Sequence, residues 1–219
     1  MKLFIDSADP KDIAEFVGTG LIDGVTTNPS LAAKTGLNFI ESLKEICALC
    51  PGPISAEVLA TDTGGMIAEG ERYARVAKNV AIKVPLTWDG LKACRALSNA
   101  GHMVNVTLCF QPVQAMMAAK AGATFISPFI GRLDDAGQDG MELIREIRHI
   151  YDNYDYSTQI LAASIRHITH VRDAALAGSD VATLPPSVFR TLLSHPLTDK
   201  GLAAFLEDAK RAGAKLREG

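Results

Sequence analysis

The sequence predicts an α/β protein in which eight parallel strands close into a single (β/α)8 barrel, followed by an additional C-terminal helix. Short runs rich in apolar and β-branched residues alternate from end to end with longer amphipathic stretches, and Gly or Pro marks the changes. Such alternation belongs to parallel strands joined by right-handed helical crossovers. Eight units can be counted in the 219 residues, and a closed barrel needs roughly 200 or more. Neither a linker nor a low-complexity segment interrupts the pattern, so one domain is expected.

In chain order the strand-like runs are KLFIDSA (2–8), GVTTN (24–28), PISAEVL (53–59), VAIKVPL (80–86), HMVNVTLCF (102–110), TFISPFIG (124–131), QILAASI (159–165) and VATLP (181–185). Several are almost continuously apolar, as strands covered on both faces are. The helical period shows between them. In DGMELIREIRHIY, Leu143, Ile144, Ile147, Ile150 and Tyr151 fall on one face, opposite Glu142, Arg145, Glu146, Arg148 and His149. Ile168, Val171 and Ala175 form a shorter stripe, ended by Gly178 just past the helix. Residues 1–197 thus make the barrel. Residues 198–219 make an amphipathic helix, with Leu202, Phe205, Leu206 and Ala209 opposite Lys200, Glu207, Lys210 and Arg211. It packs either on its own barrel or on a neighbouring subunit.

Composition narrows the function classes. Hydrophobic residues are 47% and charged residues 21% of the chain, the profile of an ordinary globular domain. A net charge of −3 offers no basic footprint for nucleic acid or an anionic membrane. No apolar stretch reaches the ~20 residues that span a bilayer, and MKLFIDSADPKD has no signal-peptide core. A cytoplasmic protein is expected, with Cys47, Cys50, Cys94 and Cys109 as reduced thiols.

Barrel enzymes carry their chemistry at the C-terminal ends of the strands. Here polar residues gather in or just after the strands: Asp6, Thr26, Thr27, Asn28, Glu57, Lys83, Asn105, Thr107, Ser127, Ser164 and Arg166. A barrel filled for packing alone would carry Val, Ile and Leu there. Lys83, between Ile82 and Val84, is the most informative. Burial favours the neutral amine of a lysine, which is the form that attacks a carbonyl. The plainer reading is a structural ion pair with Asp6 or Glu57. Asp6 could instead cap the following helix, whereas Glu57, inside a strand, has no cap to make. Two carboxylates near an amine can serve as proton donor and acceptor. Arg132 and Arg166 should emerge at strand ends, where guanidinium forks suit a phosphate, or else lie on the surface.

Other motifs point away from metal and redox chemistry. Cys47 and Cys50 have CxxC spacing but fall near the end of the second helix, where the dipole opposes thiolate formation. His167 and His170 start the seventh helix without a third metal ligand at sensible spacing. Neither a Walker loop nor a GxGxxG motif is present. No metal and no cofactor are expected.

The segments IDSAD, GVTTNPS, AEVLATD, NVAIKVPLT, NVTLCF, SPFIGRLDD, ILAASIRH and HPLTDKGL, in this order, resemble the small transaldolases and the related fructose-6-phosphate aldolases. The resemblance runs over essentially the whole chain. It implies that Lys83 forms a Schiff base with a ketose phosphate. Asp6 would take the proton of the C4 hydroxyl, and Glu57 and Thr107 would hold a proton-shuttling water. Asn28 and Asn105 would bind the three-carbon fragment, with Thr26, Ser127 and Phe129 beside them. Arg132, Ser164 and Arg166 would hold the phosphate. The donors implied are fructose 6-phosphate and sedoheptulose 7-phosphate, the acceptors erythrose 4-phosphate and glyceraldehyde 3-phosphate. The aldolase branch, which releases free dihydroxyacetone, carries Gln and Tyr where this chain has Glu57 and Phe129, so the transaldolase branch is favoured. A homo-oligomer, a pentamer or decamer, is also implied. A different Schiff-base lyase and a catalytically silent sugar-phosphate-binding barrel stand as alternatives.

Overall fold

The computed structural model describes residues 1–36 and 38–211. Strand β1 (Lys2–Asp6) leads through helix α1 (Pro10–Val17) to β2 (Gly24–Thr26), and α2 (Pro29–Thr35) and α3 (Phe39–Leu49) lead to β3 (Ile54–Glu57). Then come α4 (Thr63–Ala74), β4 (Val80–Pro85), α5 (Trp88–Asn99), β5 (Met103–Cys109), α6 (Pro112–Lys120) and β6 (Phe125–Pro128). Helices α7 (Ile130–Asp135) and α8 (Gly140–Asn153) precede β7 (Gln159–Ala162). After α9 (Ile168–Leu176) and β8 (Val181–Leu184), the described chain ends with α10 (Pro186–Thr191) and α11 (Pro196–Arg211). Each strand pairs in parallel with the next, and β8 returns to β1, closing the barrel.

The simple eightfold count missed two short helices. α2 and α7 are inserted after β2 and β6, while α10 is the short helix of the eighth unit and α11 the additional C-terminal one. Arg132 therefore rides on α7 rather than at a strand end, and Cys47 lies in the third helix, with Cys50 as its C-cap.

Two cores explain where polarity could go. The larger lies between sheet and helices and includes Ile5, Val25, Ile54, Ile82, Val104, Ile126, Ile160 and Leu184. The smaller lies inside the barrel, where Phe4, Ala81, Phe125, Leu161 and Val181 pack together with Met103. Side chains of a strand repeat every second residue on one face. Two residues beyond these apolar positions come Asp6, Lys83, Ser127, Ala163, Thr183 and Asn105. The barrel interior thus has an apolar plug towards the strand N-termini and a polar tier above it. Burying each large side chain of the plug contributes about 1.5–3 kcal/mol.

Local signals fixed most helix ends. Asp9, not Asp6, caps α1 by accepting from Lys11 N, which leaves Asp6 free to face the barrel. Gly178, with φ +81, follows the C-cap of α9 as expected. On α8 the buried residues include Leu143, Ile144, Ile147 and Tyr151. On α9 the predicted stripe holds only at Val171, half-buried against the core; His170 and Ala174 are buried, while Ile168 and Ala175 are exposed. A histidine with hydrogen-bond partners, His170, is buried next to Val171, a position that apolarity alone does not assign to the core. The described part of α11 buries none of its residues, and Leu197, Leu202, Phe205 and Leu206 are exposed. The remainder of the segment, 212–219, lies outside the described residues. No helix of the described residues is long and apolar enough to cross a membrane.

Candidate active site

Lys83 stands in the middle of β4 with its side chain 7% exposed. Its Nζ donates to the Thr27 carbonyl at 3.1 Å and lies 2.9 Å from Glu57 Oε2. Strand register makes the pair, since Glu57 is the cross-strand neighbour of Lys83 and Asn105 is its neighbour on the other side. The amine does not sit in hydrocarbon, as burial alone suggested; its nearest groups are a carbonyl and a carboxylate.

Asp6 ends β1 and accepts from Thr26 Oγ1 at 2.7 Å. Thr26 Oγ1 is also 2.6 Å from Thr183 Oγ1. With the Thr26 hydroxyl donating to Asp6, the Thr183 hydroxyl completes the chain by donating to Thr26. Burial pushes the Asp6 carboxyl above the usual carboxylate range, against the Thr26 hydrogen bond and the Lys83 charge, while the Glu57 charge adds to the rise. A carboxyl with its proton affinity raised in this way suits acid–base work near neutrality.

A cleft of about 250 Å³ opens above these groups, lined by Asp6, Thr26, Asn28, Lys83, Ser127 and Phe129, and further out by Arg132, Ser164 and Arg166. Nine of the twelve sequence-derived site residues therefore meet in one cavity. Asn28 reaches it from the cap of α2, where its Oδ1 accepts from Leu31 N. The other three stand behind the wall. Glu57 is tied in through Lys83. Asn105 is fully buried, donating to Ser55 Oγ and accepting from Ser127 Oγ. Thr107 is 1% exposed, and its hydroxyl has no hydrogen-bond partner among the described residues. It adjoins a register shift in β5, where Leu108 takes a left-handed conformation at φ +64. An irregularity of this kind re-aims side chains next to active sites.

The outer end of the cleft is basic. The Arg132 guanidinium lies 4.7 Å above the Phe129 ring, which holds it by a cation–π contact. Arg166 pairs with Asp135 through Nη2 at 2.8 Å. Ser164, two residues past β7, is left-handed at φ +61, a costly conformation that persists where the surroundings enforce it. Gly131 N donates to the Ser164 carbonyl at 3.1 Å, binding α7 to this turn.

Thr183 and Ser55 were missed in the sequence; Thr183 obeys the same rule, two positions beyond Val181, while Ser55 lies in β3 two positions before Glu57. A larger hollow of about 440 Å³, lined by Arg145, Arg148, His149, Asp152, Asp173, Leu176 and Ala177, belongs to the outer helical surface and contains none of the site residues. Cys47 stays a packing residue, its thiol pushed up to about 11 by burial and, secondarily, by Cys50.

Residues 3–218 match the profile of the family described as Transaldolase/Fructose-6-phosphate aldolase. A protein of Parvibaculum lavamentivorans described as a probable transaldolase is 64% identical over 217 residues, 99% of this chain and all of that protein. One of Hyphomonas neptunium with the same description is 65% identical over 216 residues, again 99% of this chain and all of the relative. Among solved structures, the carboxyl transferase domain of Rhizobium etli pyruvate carboxylase with 3-bromopyruvate superimposes with a TM-score of 0.62 at 13% identity. That match covers 84% of this chain and 39% of the other, and at this identity it speaks for the fold alone.

Proposed function

We propose, since the chain belongs to the transaldolase/fructose-6-phosphate aldolase family, that it is a transaldolase moving a dihydroxyacetone unit from a ketose phosphate to an aldose phosphate. The observation that carries the reading is the setting of Lys83: a buried amine at the floor of a cleft, 2.9 Å from one carboxylate, with a second carboxyl in the same lining.

In this reading the Lys83 amine, its proton passed to Glu57, attacks the C2 carbonyl of the donor, and loss of water gives a protonated imine. Asp6 takes the proton of the C4 hydroxyl. The C3–C4 electron pair moves into the imine, leaving an enamine on Lys83 and releasing the shortened aldose. Addition of an acceptor aldehyde runs the same steps backwards, with Asp6 returning its proton to the new hydroxyl. Asn28 and Ser127, both in the cleft lining, would bind the fragment's hydroxyls, and Thr107, whose buried hydroxyl has no partner among the described residues, would bind a water. Arg132, Ser164 and Arg166, which line the same cleft, would receive the phosphate. Glu57 and Phe129 favour the transferase over the lyase branch.

Homo-oligomerisation, as a pentamer or decamer, belongs to the same proposal and is supported by the uncovered apolar face of α11. Cytoplasmic residence is likewise proposed and accords with four free cysteines.

Borohydride added with fructose 6-phosphate should modify Lys83 covalently, and labelling that survives Lys83→Ala rejects the assignment. Turnover should require erythrose 4-phosphate; steady release of dihydroxyacetone without an acceptor rejects the transferase reading.

A further inference from the structure

His170 is buried at 5% exposure although it belongs to none of the groups that line the cleft. Its two ring nitrogens are both engaged, in opposite senses. Nδ1 accepts a hydrogen bond from Arg166 N at 3.2 Å. Nε2 lies 2.8 Å from Asp134 Oδ2. A nitrogen that accepts carries no proton, so one tautomer alone satisfies both contacts: neutral imidazole with hydrogen on Nε2, donating to Asp134. Asp134 in turn accepts from Gly140 N through Oδ1 at 2.9 Å. The ring therefore joins the backbone of Arg166 to α7 and to the start of α8.

The place of this joint matters. Arg166 follows two residues after Ser164, whose left-handed backbone needs support. The guanidinium of Arg166 is held by Asp135, the neighbour of Asp134 on α7, and α7 also bears Arg132. Both arginines and the serine at the basic end of the cleft thus depend on α7 and the 164–166 turn keeping one arrangement. His170 is the side chain that fastens the turn's backbone to that helix through Asp134.

We propose that His170 is a positioning residue for the anion-holding arm Ser164–Arg166, and that it holds the arm only as the neutral imidazole. This rests on reading Arg132, Ser164 and Arg166 as an anion site. A second proton would occupy Nδ1, cancel the bond from Arg166 N and set two donors face to face. The groups facing the ring are Asp134 from α7 and His167 and Asp173 from α9, besides the Arg166 backbone. Burial, and then the His167 ring at a centroid distance of 3.8 Å, hold the imidazole below its ordinary value, against the pull of Asp134. The sign follows. The arm is fastened above the ordinary imidazole value, near pH 6.5, and is released as pH falls through the lowered one.

Sulfate is the probe, because its charge is constant over the range where phosphates titrate. Its dissociation constant, measured calorimetrically between pH 5 and pH 8, should rise on the acid side in the unaltered protein. His170→Leu should weaken sulfate binding about five- to tenfold at pH 7.5, the worth of one hydrogen bond that positions a charged group. It should raise the KM for fructose 6-phosphate equally while leaving kcat within about twofold. His170→Asn keeps an acceptor near the Nδ1 position and cannot be protonated. It loses the donor to Asp134, so it should recover only part of the affinity at pH 7.5, but it should lose the added acid-side weakening. If His170→Leu does not fold, the His170→Asn profile decides alone. An acid-side weakening that persists unchanged in His170→Asn, or a loss in kcat without change in sulfate affinity, overturns the proposal. Sulfate binding that responds to His170 in a protein without transaldolase turnover would sink the functional reading and leave this one standing.

Discussion

Gly131→Ala tests whether the basic end of the cleft is held as tightly as the packing suggests. A Cβ built on Gly131 would stand 2.1 Å from the Ser164 carbonyl oxygen, 2.7 Å from Arg166 Nε and 2.8 Å from Arg166 Cγ. A close carbon–oxygen contact is about 3.3 Å, so helix and turn must separate by roughly 1.2 Å. The Arg166 side chain can swing aside; the Ser164 carbonyl is backbone and cannot. Separation also breaks the bond from Gly131 N to that carbonyl, 3.1 Å long. Overpacking of this kind costs about 1–3 kcal/mol, a fall in Tm of about 2–4 °C for each kcal/mol in a chain of this length. A displacement near 1 Å costs about 100-fold in rate. We expect kcat/KM for fructose 6-phosphate, with erythrose 4-phosphate as acceptor, to fall by about that factor, chiefly through KM. Gly201→Ala is the control: the added Cβ meets nothing within 4 Å inside α11, so activity should hold and the helix gain about 0.5–1 kcal/mol. Gly131→Ala with unchanged kcat/KM would refute the account of the arm.

Three further outcomes are expected. Lys83→Met strands Glu57, whose side chain is 18% exposed, and should abolish turnover and lower stability by about 3 kcal/mol; adding Glu57→Gln should restore about 1 kcal/mol or more, and a double variant no more stable in urea than the single would contradict a coupled pair. Asp6→Asn should lose about 100-fold or more in kcat yet be more stable than the unaltered protein at neutral pH. The folded state binds the Asp6 proton more tightly than the unfolded chain does, so this group's contribution is fully present below about pH 4 and is lost as pH rises through the raised folded value; urea denaturation should therefore show the variant's advantage growing from pH 4.5 to pH 7.5, and an advantage that shrinks would count against burial as the cause. Phe129→Leu removes the ring beneath Arg132 and should raise the KM for fructose 6-phosphate about two- to fivefold, the worth of a partly exposed cation–π contact of about 0.5–1 kcal/mol; an unchanged KM would show that Arg132 is held by other means.

The sequence by itself determined the barrel and most of the polar residues that line its cleft. The alternation of runs is enough for the fold, because a strand followed by an amphipathic helix has few ways to bury both. Lys83, Glu57 and Asp6 were legible for a related reason: a charged residue among Ile, Val and Ala cannot be placed there for packing. What the tertiary structure decided is everything that depends on which strand faces which. Register set Glu57, rather than Asp6, beside Lys83, and the sequence left both open. Closure of β8 on β1 brought Thr183 to Thr26 across 157 positions, a contact that no local pattern announces. The insertion of α7 moved Arg132 onto a helix and gave Arg166 the carboxylate of Asp135. His170 read as a helix start and became a buried link between two elements, because the partners that satisfy a polar ring are chosen by chain segments far apart in sequence. Local propensity and periodicity are properties of neighbours along the chain; hydrogen-bond partners and charge pairs belong to neighbours in space.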